Sequence, residues 1–270
     1  MDVFLGTLPQ ELADQVYGHL HNDLQSLKCC SLVSKRWRAS CGHHLFRSLN
    51  LDSYNAANFL ALLNYAGGVS TIFSRVKRLK VSEYRLFMYS PWVVKSSAGL
   101  HHLSSVTSLC LHGIVWRDPT SLIDFVRGFR QLNELEINQN SVDSLDIFFQ
   151  AVNSFTPLNH VSFRKIEFED QSRISQHLFG GDLSPVRSLE FREGSHDVLL
   201  NWSDFLGQRR MVNVTMLCVL DIKESHLESF GEVIRTLGPT VERLEIGLYM
   251  QATFAVQEGV YNDGQCVLYI

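Results

Sequence analysis

The chain has 270 residues and a formal net charge of -4 at neutral pH, and 45% of its residues are hydrophobic against 19% that are charged. This composition is ordinary for a globular protein and argues against intrinsic disorder. Without a strong basic field, bulk attraction to nucleic acid or to a membrane surface is not expected. The longest apolar stretch, near residues 211–222, is too short to span a bilayer.

The six cysteines are irregularly spaced, and the opening residues MDVFLGTLPQE lack a basic segment followed by a continuous apolar run. Disulfide frameworks and secretory signals show the opposite features. We therefore expect reduced thiols and a cytoplasmic or nuclear location.

Three short helices are predicted within the first fifty residues. The first carries an amphipathic stripe at a spacing of four, formed by Leu8, Leu12, Val16 and Leu20. Three helices of this size bury too little apolar surface to be stable by themselves. They must pack on the rest of the chain or on a partner.

Small polar residues predict where these helices begin and end. Thr7 can open the first helix as part of a capping box, and Asn22 can cap the second. Either Ser31 or Ser34 can cap the third helix, and Gly42 is expected to end it.

The segment LPQELADQVYGHLHNDLQSLKCCSLVSKRWR resembles an F-box, with a Leu-Pro start and a Cys-x-x-Val-x-Lys-x-Trp ending at the separation found in that family. The resemblance places an F-box domain at residues 1–50. It implies docking onto the Skp-type adaptor of a cullin-based SCF ubiquitin ligase, with a face formed or supported by Leu8, Pro9, Leu12, Leu20, Leu24 and Trp37. The alternative is a plain helical cap on the downstream domain.

Residues 51–270 contain a recurring pattern, L-x-x-L-x-L, in which L stands for any apolar residue. The central apolar residues of seven copies are Leu79, Leu109, Leu135, Val161, Leu189, Leu217 and Leu244, and residues 46–51 form a transitional copy before them. Each copy predicts a short strand, and helix-like stretches lie between copies, at 55–65, 121–129, 144–155, 172–179 and 225–237. Strand, crossover helix and strand again predict an α/β fold with a parallel sheet.

The spacing of these copies resembles that of leucine-rich repeats, and an F-box followed by such repeats resembles a group of F-box proteins common in fungi. The resemblance implies a curved solenoid with strands on its concave side. One departure is that the asparagine expected after the strand occurs only at Asn140, whereas Ile114, Ile166 and Ile222 hold the equivalent positions. A continuous asparagine ladder is therefore not expected.

The outward-facing strand residues are the predicted surface for a target protein, because strand side chains alternate between faces. The residues selected are Glu134, Glu136, His160, Arg164, Glu190, Arg192, Arg243 and Glu245. Their mixed charges disfavour a phosphate-binding arginine cluster.

Sequence motifs for catalysis are missing, so neither an enzyme nor a cofactor is expected. Cys29, Cys30, Cys41 and the neighbouring histidines lack the second ligand pair of a zinc finger, so helix packing is the better interpretation. The aromatic segment at 84–94 is interpreted as core filling under a long loop. A protein-interaction scaffold outside any ligase remains the alternative function.

The sequence ends on apolar residues at 267–270. An uncovered hydrophobic strand edge invites association. This predicts either truncation relative to a longer relative or a tail that folds back as one more strand.

Overall fold

The structure is a computed structural model. It describes residues 9–20, 23–65, 73–83, 92–93, 99–100, 102–116, 119–144, 148, 158–170, 186–192, 213–222, 227–237, 240–249 and 265–269. Leu8, Thr7 and most of segment 84–94 lie outside these residues.

Three helices come first: α1 (Gln10–His19), α2 (Leu24–Val33) and α3 (Lys35–Leu45). They enclose a small core of Ala13, Tyr17, Leu27 and Cys41. This core is separate from the large one that follows, which agrees with the prediction that three short helices bury little surface.

The helix ends differ in part from those predicted. Pro9, not Thr7, is the N-cap of α1, and Asp23, not Asn22, caps α2 by accepting from the backbone N–H of Ser26. Ser34 caps α3, which resolves the choice between two serines.

Gly42 does not end α3, and the helix continues to Leu45. A Cβ at Gly42 would lie 3.2 Å from Nη1 of Arg75. The glycine therefore permits a close approach between α3 and a following segment, instead of forming a left-handed cap.

Nine of the described strands form one sheet, in which β1 (Ser48–Leu51) is the first strand. The others, in spatial order, are β2 (Arg78–Ser82), β3 (Ser108–His112), β5 (Glu134–Asn138), β7 (His160–Arg164), β9 (Ser188–Arg192), β10 (Met216–Ile222), β11 (Arg243–Tyr249) and β12 (Gln265–Tyr269). All pairings are parallel except that of β11 with β12.

The sheet register aligns the predicted copies residue for residue. The central apolar residues form one continuous row of paired positions: Leu49, Leu79, Leu109, Leu135, Val161, Leu189, Leu217 and Leu244. An α/β fold with N-terminal helices and a parallel sheet is thus confirmed, while the leucine-rich-repeat solenoid and its curvature stay predictions.

Among the described residues, three α-helices accompany the sheet: α4 (Ala56–Tyr65), α5 (Pro119–Arg127) and α6 (Leu227–Leu237). Each lies within one residue or two of a predicted helix. Phe125 and Val233 are fully buried in the same core as the strand leucines. The helices predicted at 144–155 and 172–179 fall almost wholly outside the described residues.

A second, smaller sheet was not predicted. It consists of β4 (Val115–Trp116), β6 (Ser141–Ser144) and β8 (Glu167–Asp170), again paired in parallel. Each of these strands follows a main strand after a sharp turn.

A residue in the left-handed region makes that turn each time. The residues are Gly113 with φ 70°, Gln139 with φ 55° and Lys165 with φ 49°. Only glycine, and to a lesser extent polar residues, adopt such angles at low cost. A Cβ at Gly113 would lie 2.4 Å from the backbone oxygen of Glu83, so at this turn glycine is required.

Strand β12 pairs antiparallel with β11. The fold-back version of the prediction for the C-terminal tail is therefore confirmed for Gln265–Tyr269.

Candidate functional site

Apolar side chains are exposed on the three N-terminal helices. Leu12 and Val16 of α1 are 47% and 46% exposed, and Leu24 of α2 is 51% exposed. Leu32 and Val33, at the end of α2, reach 77% and 52%. Large apolar residues exposed together on one small unit are typical of a protein-interaction surface.

The exposure follows from which face of α1 enters the small core. Ala13 and Tyr17, one residue beyond Leu12 and Val16, are 4% and 1% exposed. Because neighbouring positions on a helix point about 100° apart, burying the 13/17 face leaves the 12/16 face outside. We call Leu12, Val16, Leu24, Leu32 and Val33 the apolar helix face.

Five of the six predicted adaptor-binding residues are described, and they divide into two groups. Pro9, Leu12 and Leu24 are exposed, whereas Leu20 and Trp37 are partly buried against the small core. The Trp37 ring meets that of Tyr17 edge-to-face, with centroids 5.5 Å apart. Leu20 and Trp37 therefore support the surface from behind, and Leu8 lies outside the described residues.

Val16, Leu32 and Val33 were not among the predicted contacts. Val16 belongs to the predicted apolar stripe, but its exposure depends on the rotation of α1 about its axis. Leu32 and Val33 lie where one helix ends two residues before the next begins. An apolar pair at such a junction is a usable signal, because it has little neighbouring structure to cover it.

A pocket lies on the outer face of the main sheet, with a volume of about 320 Å³. Six predicted target-binding residues line it: Glu134, Glu136, His160, Arg164, Glu190 and Arg192. The register explains their proximity, since β5, β7 and β9 are consecutive neighbours in the sheet. The prediction thus selected residues that the fold brings together.

The other two predicted residues, Arg243 and Glu245, lie outside this pocket. They belong to β11, two strands beyond β9. Nη2 of Arg243 is 4.0 Å from Oε2 of Glu245, and so these two side chains mainly face each other.

The pocket exists because a short side chain lies between two long ones. Ser162 pairs in register with Glu136 on one side and with Glu190 on the other. It lines the pocket and is only 6% exposed. Its hydroxyl forms no hydrogen bond with the other described residues. Ser162, which strand alternation places on the outward face, therefore forms a polar floor.

Glu190 organises one wall of the pocket. Nε of Arg192 donates to Oε1 of Glu190 at 2.6 Å, and Nη2 of Arg192 lies against the same oxygen. Burial opposes the charged guanidinium, but the hydrogen bond to Glu190 and the charge of that carboxylate outweigh it and raise the pKa of Arg192.

His160 of β7 contacts the same wall, which belongs to β9. Its Nδ1 lies 2.9 Å from Oγ of Ser188, and its Nε2 lies 3.9 Å from Oε2 of Glu190. The first is a hydrogen bond, whereas the second is longer than one. These contacts fix the imidazole ring but do not make the serine a nucleophile, because the carboxylate does not orient the ring by a hydrogen bond.

Two cysteines lie in the row of Ser162, on β3 and β10. Burial, with the nearby carboxylate of Glu136, raises the pKa of Cys110 to about 12. Burial, with the carboxylates of Glu190 and Glu245, likewise raises the pKa of Cys218 to about 12. Both thiols are protonated at neutral pH and are therefore poor nucleophiles and poor metal ligands.

Within the described ranges, no group of three or more histidine, cysteine or acidic side chains is arranged to hold a metal ion. None of the helices in those ranges has the length and apolar character that crossing a bilayer requires. The cysteine and histidine residues of α3 include Cys41, which is buried in the small core as packing.

No curated protein matches this chain significantly. Residues 5–52 match the family model of the F-box-like family, and this range contains helices α1 to α3 and the whole apolar helix face. The N-terminal part of the chain is an F-box-like domain.

Proposed function

We propose that this protein is a substrate receptor of an SCF-type cullin-RING ubiquitin ligase. The F-box-like match over residues 5–52 carries the proposal, because domains of this kind typically bind Skp-type adaptors. The apolar helix face is the surface available for that contact.

The amount of exposed apolar surface supports an obligatory partner. Burying one leucine or valine side chain fully contributes roughly 1.5–3 kcal/mol. The apolar helix face offers five such side chains, each about half exposed or more. Contact with an adaptor would recover much of this free energy, and Pro9 would enter it with a backbone angle already fixed.

The sheet would supply the second function of a receptor, which is to hold the target. Its strands follow one another in chain order with the apolar row in register. This supports a leucine-rich-repeat-like arrangement, in which the polar strand face is the surface that recognises proteins. The receptor would act in the cytosol or nucleus by proximity, raising the effective concentration of the target near the ligase, and not by catalysis.

Calorimetric titration of the full chain with a purified Skp-type adaptor tests the proposal. Leu32→Ala with Val33→Ala should weaken binding by at least about tenfold, since the pair loses apolar surface whose full burial contributes roughly 1.5–3 kcal/mol per side chain. Leu62→Ala is the matched control, because Leu62 of α4 is 54% exposed but lies outside the F-box-like range. It should leave adaptor binding unchanged.

Absence of binding by the folded, intact protein at micromolar adaptor would overturn the proposal. The interaction scaffold outside a ligase would then be the remaining function. Equal weakening by Leu62→Ala would instead show that the apolar helix face is not the contact.

A further inference from the structure

We infer that the pocket on the sheet receives one cationic side chain, lysine or arginine, from a segment of the target protein. The inference rests on the proposed function, since the occupant is a segment of the ligase target. It assigns a chemical preference to a site that family membership does not define.

The pocket carries more negative than positive charge once the ion pair between Glu190 and Arg192 is set aside. Arg192 is held by Glu190, so these two side chains neutralise each other. Glu134 and Glu136 both remain exposed, and Glu134 forms no hydrogen bond or ion pair with the other described residues. Glu134 and Glu136 line the pocket together with Arg164, so the three carboxylates of the pocket outnumber its two guanidinium groups and leave an excess of negative charge.

The spacing of these acceptors suits a cation. Glu134 and Glu136 lie on one face of β5 and are separated by two residues, which places them about 7 Å apart along the strand. Ser162 lies beside Glu136 in the next strand and is only 6% exposed, and its hydroxyl has no hydrogen bond within the described residues. A guanidinium or ammonium group carries several donors and no acceptor, so it can satisfy carboxylate and hydroxyl oxygens together.

The size of the pocket also limits the occupant. A volume of about 320 Å³ is at the lower end of the range for small-molecule sites. The floor at Ser162 is polar and the flanking walls are charged, which disfavours an apolar side chain. One long polar side chain, projecting from a peptide that crosses the strands, fits these limits.

The neutral thiols of Cys110 and Cys218, beside the pocket, support its preference for a cationic side chain. Cys110 and Cys218 remain protonated, so the carboxylates of Glu136 and Glu190 accept weak hydrogen bonds from uncharged donors. Glu190 is already paired with Arg192, whereas the thiol of Cys110 leaves the charge of Glu136 uncompensated. The negative charge of the row therefore remains available to an incoming cation.

A randomised dodecapeptide phage library, selected on the full-length protein, tests the inference. The expected result is enrichment of sequences that share one lysine or arginine, with at least about tenfold weaker binding when that residue is replaced by glutamine, as the loss of a charge-assisted hydrogen bond implies. Ser162→Leu, which fills the pocket without altering its charges, should abolish the enrichment.

Glu134→Gln with Glu136→Gln is the second variant, which changes charge at nearly constant shape. It should remove the preference for basic residues even if Ser162→Leu folds poorly. Glu242→Gln is the matched control, because Glu242 is exposed and does not line the pocket.

Enrichment of acidic peptides, or of peptides with no shared basic residue, would overturn the inference. The inference would also be overturned if both pocket variants still selected basic peptides. Adaptor titration of the same variants separates this inference from the proposed function. A wild-type protein that binds the adaptor but selects no basic residue refutes the pocket inference alone, whereas absence of adaptor binding in the wild type refutes the receptor.

Discussion

Oδ1 of Asn140 accepts a hydrogen bond from the indole Nε1 of Trp116 over 3.3 Å, and both side chains are buried. The same oxygen accepts from the backbone N–H of Ile114 at 3.2 Å, and Nδ2 donates to the carbonyls of Leu111 and Asn138. One amide thus satisfies four buried polar groups where the chain turns from the main sheet into the second one.

Asn140→Ala should therefore lower the free energy of unfolding by about 3–5 kcal/mol, because it leaves several buried donors and acceptors unpaired at roughly 1–3 kcal/mol each. Urea denaturation followed by circular dichroism measures this. Asn159→Ala, at an exposed position, should change stability by less than about 0.5 kcal/mol. Similar losses in both variants would contradict the network.

Two glycine substitutions should have opposite effects. Gly113→Ala should destabilise the fold by about 2 kcal/mol or more, since its φ is positive and a Cβ would lie 2.4 Å from a backbone oxygen. Gly231→Ala should stabilise it by about 0.5–1 kcal/mol, because Gly231 lies inside helix α6 with nothing within 4 Å of a new Cβ. Thermal melts would show Tm shifts of opposite sign, and a common sign would disprove this reasoning.

Substitutions of the two aromatic residues packed together in the N-terminal helices, Trp37 and Tyr17, should have different effects on stability. Trp37→Ala should cost about 3 kcal/mol, because it removes an aromatic ring packed on Tyr17. Tyr17→Phe should be neutral or slightly stabilising, since the buried hydroxyl of Tyr17 has no hydrogen-bond partner within the described residues. Hydrogen exchange of residues 10–45, read by mass spectrometry, should show faster exchange for the tryptophan variant only.

The fold should lose stability at alkaline pH through its buried thiols. The pKa values of Cys110 and Cys218 rise from 9.0 to about 12, so their contribution is complete below pH 9 and is lost as the pH rises towards 12. Each thiol should contribute at most about 1.4 kcal/mol per pH unit to this loss. In Cys110→Ala with Cys218→Ala the dependence on pH between 9 and 11 should be shallower, and an unchanged slope would refute the assignment.

The main strands were predictable because each carries its own signal. Alternating apolar residues such as Leu79 and Val81 must face one side of a strand, and that pattern is visible without knowledge of the neighbours. The second sheet gives no such signal, since Ser141–Ser144 and Glu167–Asp170 are short and polar. These strands form because the preceding turn carries the chain into register beside Val115–Trp116.

The pocket and the apolar helix face were predictable only in part, because both depend on how distant residues pack together. The outward residues follow from strand alternation, and six of those selected line the pocket. The pocket itself depends on Ser162 being shorter than Glu136 and Glu190, which lie 26 and 28 positions away in the sequence and become neighbours only through the register. In the same way, the rotation of α1 determines that Val16 is exposed and Tyr17 is buried, and a spacing pattern alone does not fix that rotation.

The parallel order of β1 to β11 has a consequence for how the protein is made. Each main strand pairs with its predecessor in the chain, and the central residues of neighbouring strands are 26 to 30 positions apart. Every new pairing therefore closes a loop of similar length at a similar entropic cost. At a synthesis rate of about 5–20 residues per second, one further strand would leave the ribosome roughly every few seconds. It could then pair at once with the exposed edge of the strand that precedes it. The sheet can thus grow during translation, without the long-range search that a strand order unrelated to chain order would impose.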